Sequence, residues 1–207
     1  MNNPDFSHAQ PVVETTARAR NAFRIAVIGS TAMIVSTLFY VYMAFQYGGW
    51  QLFAFAAAAT VLTVALLASA VLIRRGRVEL GMWLLLGAVQ VTFLIGSTLV
   101  AGLGLARASA TLLTVVIAPQ TLPTKQANWA VGTGVIAGVV AFLVDVFELP
   151  FRLPAPAPML AYVPIICVVV VVVCGYFLYR QFGSYTLRAK LITAFLTVTL
   201  IPLGLWA

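Results

Sequence analysis

Seven apolar runs, at residues 25–47, 51–73, 80–101, 108–122, 127–147, 159–179 and 191–207, divide almost the whole chain, with short polar gaps between them. A helix needs about 20 apolar residues to cross the ~30 Å hydrocarbon layer of a bilayer, and most of the runs reach that length. The pattern predicts an all-α, polytopic transmembrane helical bundle of six spans plus a seventh, C-terminal span. It divides the chain into a tail at 1–20, a six-span membrane domain at 21–183, and a last span at 184–207.

The run at 108–122 is the shortest, bounded by Arg107 and closed by Pro119 and Pro123. It reads as a crossing span, and the alternative is a re-entrant segment. The stretch after the fifth run carries Pro150, Pro154, Pro156 and Pro158. Proline fixes φ and removes donors, so an extended connector lying along the surface is expected there.

Charge orients the bundle. Arg18, Arg20, Arg24, Arg74, Arg75, Arg77, Lys125, Arg180, Arg188 and Lys190, ten of the twelve basic residues, fall in alternate gaps. The other gaps hold Arg107 and Arg152 alone. Short loops rich in Lys and Arg stay on the cytoplasmic side, so the N-terminus is expected inside. Tyr40, Tyr42, Phe45, Tyr47 and Trp50 then mark the outer interface, and Trp83 and Trp129 the inner one. With 62% hydrophobic and 8% charged residues, a soluble globular domain is excluded. The net charge of +7 is explained by headgroup contact and orientation rather than by nucleic acid. The expected location is a bacterial inner membrane, with the lipid bilayer as first partner. A second copy of the chain or a downstream signalling domain are further candidate partners.

The first run begins too far into the chain, and is too long, for a cleaved leader. Residues 1–20, with Pro4, Pro11 and His8, are expected to form a mobile cytoplasmic tail. Cys167 and Cys174 lie on one helix about 10 Å apart along its axis, too far for a disulfide with each other. They read as small apolar side chains.

Several chemistries fail on missing parts. A retinal protein needs a lysine in the middle of its last span, and Lys125 and Lys190 lie at membrane edges. H-E-x-x-H is absent. The G-x-G-x-x-A match at Gly132, Gly134 and Ala137 lies inside an apolar helix, where amides are already bonded and no pyrophosphate can reach them. No enzyme activity, cofactor or metal is expected.

Three groups stand out. Ala130, Gly134 and Gly138, at four-residue steps, form a small-residue ridge suited to close helix packing. Asp145 and Glu148 share a helix face about 28 Å above Gln126, at the outer interface. They are expected either as interface charges paired with Arg107 or Arg152, or as an outward-facing ligand or ion site. Gln90, Thr92, Ser97 and Thr98 form the most polar mid-membrane group, for which an interhelical hydrogen bond is expected in preference to a small-molecule pocket.

Leu187, Arg188, Lys190, Leu191 and Phe195, followed by Pro202 and Leu203, resemble the span that opens the extracytoplasmic sensor of bacterial Cache-type chemoreceptors and sensor histidine kinases. The likeness covers some twenty residues. The six preceding spans are similar in architecture to the multi-span N-terminal modules of such sensors. The resemblance implies a non-catalytic sensory or anchoring module of a signal-transduction protein, with 184–207 as a connector to an extracytoplasmic domain. No Cache, HAMP, dimerisation or ATPase domain is present in the sequence. The chain is still apolar at Ala207, which fits either the membrane part of a longer protein or a short protein with a buried C-terminus. Rival expectations are a small transporter or channel subunit, and a structural subunit of a membrane complex.

Overall fold

A computed structural model describes residues 10–147 and 150–181. Six helices follow one another: α1 (Gln10–Tyr47), α2 (Trp50–Arg74), α3 (Val78–Leu99), α4 (Gly104–Thr121), α5 (Thr124–Val146) and α6 (Ala157–Gln181). Two short strands, β1 (Val100–Ala101) and β2 (Leu153–Pro154), lie between α3 and α4 and between α5 and α6. They pair in parallel, Val100 opposite Leu153. The expected span at 184–207, the resemblance it carries and Glu148 lie outside the described residues.

Each of the first six apolar runs becomes a helix. Helices α1, α2, α3 and α5 are long and apolar enough to cross a membrane. Their outward faces are strongly apolar: Ile28, Leu38, Phe45, Val61, Ile136 and Val168 are each more than 60% exposed. A continuous apolar surface of that kind needs hydrocarbon rather than water around it, and the chain is a membrane protein with a helical transmembrane bundle.

The helices run alternately up and down between two buried clusters. One joins Ala22, Ala26, Ile73, Met82, Ala118, Leu122 and Ala127 at the end that carries Arg74, Arg75, Arg77 and Lys125. The other joins Met43, Leu52, Phe55, Leu99, Leu103, Ala155 and Met159 at the opposite end. Helix α4 contributes to both, with Leu103 just before its start and Ala118 near its finish. It therefore joins the two clusters, antiparallel to α5. At 18 residues it is about 27 Å long. Arg107, Pro119 and Gln120 account for its lower hydropathy.

Tight connections follow from glycine. Gly48 and Gly49 sit at φ of +69° and +89° between α1 and α2, a region that side chains with a Cβ rarely adopt.

Three expectations need correction. The tail at 1–20 is already helical from Gln10, with Pro11 in the first turn, where its missing N–H leaves no helical bond unmade. The proline-rich connector is extended but does not simply lie on the surface. It adds β2 to β1 and buries Arg152 and Ala155. Among the described residues, Ser97 and Thr98 of the polar group on α3 bond within their own helix rather than across to another. Ser97 donates to the carbonyl of Phe93 and Thr98 to that of Ile95, because a hydroxyl one turn along always has that acceptor in reach. The interhelical hydroxyl bonds lie elsewhere: Thr37 on Thr63 at 2.8 Å between α1 and α2, and Ser69 donating to the Gly81 carbonyl at 2.7 Å between α2 and α3.

Candidate functional site: a buried charged knot

Helix α3 stops at Leu99, and the chain continues extended through β1 to Gly102, whose φ of +84° turns it back into α4. That turn points two backbone N–H groups at α5. Gly102 N–H donates to Asp145 Oδ1 and Gly104 N–H to Oδ2, each at 2.9 Å. The carboxylate thus sits on the first turn of α4, where unpaired amides and the helix dipole favour a negative charge. No side chain could replace Gly104, because an added Cβ would fall on the Asp145 side chain.

Arg152, carried by the strap between α5 and α6, closes the arrangement. Its Nη2 makes an ion pair with Asp145 Oδ1 and also donates to the Val100 carbonyl at 3.1 Å. Its Nη1 donates to the Val144 carbonyl at 2.8 Å. Two more bonds fix the strap: Ala155 N–H to the Ala101 carbonyl at 3.1 Å, and Gln51 Nε2 to the Phe151 carbonyl at 3.0 Å. The Arg152 side chain is only 2% exposed.

Arg107 enters from the second turn of α4. Its Nη1 donates to the same Val100 carbonyl at 3.0 Å, and its Cζ lies 5.3 Å from the centre of the Phe55 ring. A guanidinium over an aromatic face is attracted by the ring quadrupole. Gly96 makes room for both groups: a Cβ there would lie 2.6 Å from Phe55 Cε2 and 3.2 Å from Arg107 Nε. Tyr40 packs on Phe55 at 4.6 Å between centroids, and Phe39 meets Tyr162 of α6 edge-on at 5.1 Å. An aromatic layer therefore links the knot to α1 and α6.

Two guanidinium groups meet on the Val100 carbonyl and only Arg152 pairs with the carboxylate, so the knot holds one surplus positive charge among the described residues. Arg107 Nη2 and Arg152 Nε are buried and have no hydrogen-bond partner among them. Removing charge from water costs several kcal/mol per ion unless it is compensated. The guanidinium groups only donate hydrogen bonds, which suits them to binding and positioning.

The expected outer-face group is thus brought together at Asp145, Arg107 and Arg152. The small-residue ridge faces α4. Ala130, Gly134 and Gly138 are buried, a Cβ on Gly134 would lie 3.1 Å from Thr114 Cγ2, and one on Gly138 would fall on Thr111 Oγ1. Gln90 approaches the same place from α3, its Nε2 3.5 Å from that Gly134 position. Thr92 is buried on α3, and Cys167 is half-buried with its Sγ 3.7 Å from Ser109 Oγ.

Sequence reasoning missed the Val100 carbonyl, Phe55 and the glycines at 96, 102 and 104. The nearest available signal was the glycine pair at 102 and 104, five and three residues ahead of a lone arginine, Arg107, in an apolar stretch. No protein-family model, curated protein or solved structure matches this chain.

Proposed function

We propose that this chain is the membrane-embedded sensory or anchoring module of a bacterial signal-transduction protein, held in the inner membrane and without catalytic residues of its own. In this reading α1 to α6 are six spans, residues 184–207 are a seventh, and the N-terminus is cytoplasmic. The charge distribution supports that orientation, because Arg74, Arg75, Arg77 and Lys125 gather at one end of the bundle and the knot occupies the other. In this reading α4 counts as a span because it joins the buried clusters at the two ends of the bundle.

The observation that carries the reading is the strap. Arg152 ties residues 150–156 to Asp145, Val144 and Val100, and the strap leads straight into α6. Downstream of α6 lies the stretch at 187–203 that resembles the opening span of a sensor. A change in charge or ligation at the knot would therefore act first on α6, the helix next to the proposed output.

The test uses the native protein in the organism that encodes it. Asp145→Asn and Arg152→Lys should shift the stimulus dependence of the signalling output, read per molecule of protein measured in the membrane. Removing 21–183 should make the output unresponsive. Substrate-dependent flux through the purified chain in liposomes, with unchanged signalling in these variants, would replace the reading with a small transporter.

A further inference from the structure

At the basic end of the bundle an open groove of ≈ 550 Å³ lies between α1, the start of α3 and the turn from α4 to α5. Arg18, Arg77, Glu79, Thr121 and Pro123 line it. Its size falls within the range of about 300–1,000 Å³ typical of ligand clefts. The surrounding charge is one-sided. Arg18, Arg20, Arg24, Arg74, Arg75, Arg77 and Lys125 share this end, and among residues 10–147 the acids are Glu14, one turn before Arg18 on α1, Glu79 and Asp145. Asp145 belongs to the knot at the other end. The Glu79 carboxylate already accepts the Gln126 amide at 2.8 Å, and Trp83 donates its indole N–H to Gln126 at 3.1 Å. This chain of bonds fixes the rim of the groove and engages its one acid.

We infer that this groove is a binding site for the headgroup of an anionic phospholipid, with Arg77 as the principal phosphate contact and Arg18 beside it. Three observations point to a lipid rather than a soluble anion. The groove opens at the level where the apolar helix faces end and the arginines begin. Most of its remaining lining, such as Leu80, Val78 and Pro123, is apolar, which suits a glycerol backbone better than a free ion. Trp83 and Trp129, both exposed, stand at the same level, where indole rings favour the headgroup region. Basic pockets between helices at this level are suited to lipid headgroups, and a guanidinium can grip a phosphate through two parallel N–H bonds.

The site needs this end of the bundle to meet a headgroup layer, whichever side of the membrane that is. Its failure would leave the proposed signalling role untouched, and failure of that role would leave the site untouched.

The experiment titrates the detergent-solubilised full chain with phosphatidylglycerol or phosphatidylcholine and reads bound lipid by native mass spectrometry. Phosphatidylglycerol should bind with a stoichiometry of one in preference to phosphatidylcholine. Arg77→Gln should weaken it about fivefold, the effect of one lost arginine at a lipid surface. Arg77→Lys should recover part of that loss. Arg20→Gln removes the same charge from an exposed position outside the groove and should change affinity less than twofold. Millimolar inorganic phosphate should not compete. The inference is overturned if Arg20→Gln weakens binding as much as Arg77→Gln, which would mean diffuse surface charge. It is equally overturned if phosphate displaces the lipid, or if the two lipids bind alike.

Discussion

Gly138 of α5 lies against Thr111 of α4 so closely that a methyl group on the glycine would occupy the position of the threonine hydroxyl. One turn earlier, a Cβ on Gly134 would lie 3.1 Å from Thr114 Cγ2, already closer than ordinary van der Waals contact. The α4–α5 pair is therefore held by backbone proximity, and the place of α4 is fixed by the small-residue face of α5.

Enlarging a residue at that contact should separate the two helices. Gly134→Leu should destabilise the protein by about 1–3 kcal/mol, the usual cost of overpacking. Gly132→Leu on the same helix meets open space and should stay within about 0.5 kcal/mol of wild type. Thermal unfolding in detergent, followed by circular dichroism, measures both. Equal stabilities would mean that α4 and α5 are not in contact.

Breaking the knot should cost more than its position near the end of the bundle suggests. Arg152→Met leaves Asp145 with its two backbone donors but without its guanidinium, and frees the strap. A loss of about 3 kcal/mol is expected, the lower part of the range for breaking a buried pair, because the Asp145 side chain is 18% exposed. Asp145→Ala should be at least as damaging, since it leaves Arg107 and Arg152 together with no opposite charge and strands the amides of Gly102 and Gly104. A double-mutant cycle between positions 145 and 152 should show a coupling above about 0.5 kcal/mol. Additive effects would contradict the pairing.

The six runs were legible because a bilayer imposes a length, and lengths of about 20 apolar residues survive almost any local sequence. Where another force set the outcome, the sequence was less clear. Arg18 and Arg20 made the region before the first run look like a free tail, yet helix α1 carries on through them, since long basic side chains cost a helix little. Arg107 and Pro119 made the fourth run ambiguous, and only packing against Gly134 and Gly138 fixes it. The Asp145–Arg152 pair could be suspected from its charges. Its third member, the Val100 carbonyl, could not, because every residue carries the same backbone oxygen.

The topology can be checked by labelling. In a background with Cys167→Ala and Cys174→Ala, single cysteines at exposed positions should separate into two classes. Arg75→Cys and Lys125→Cys should resist an impermeant thiol reagent applied outside intact cells. Trp50→Cys and Phe151→Cys should react. Outside labelling at Lys125→Cys with protection at Phe151→Cys would reverse the direction of α5.

The helical body should stand without the C-terminal stretch. If residues 184–207 are the connector proposed above, deleting them should leave the unfolding temperature in detergent within a few degrees of the full chain, as expected when less than about 1 kcal/mol is lost. A collapse on deletion would make the last stretch part of the bundle rather than a connector.

The two-residue ladder between Val100–Ala101 and Leu153–Pro154 has a bearing on the lipid that can host this protein. Bare peptide groups cannot face hydrocarbon, so irregular backbone survives at membrane depth only where protein satisfies it. Here β pairing, two arginines and a carboxylate satisfy much of the non-helical chain around residues 100–104 and 150–155. Helix α4, about 27 Å long beside an α2 of about 37 Å, can therefore end below the water boundary without exposing its first turn. The difference in helix length becomes a tolerance to bilayer thickness: a thicker membrane can rise around the cap at that end while the basic end keeps its level.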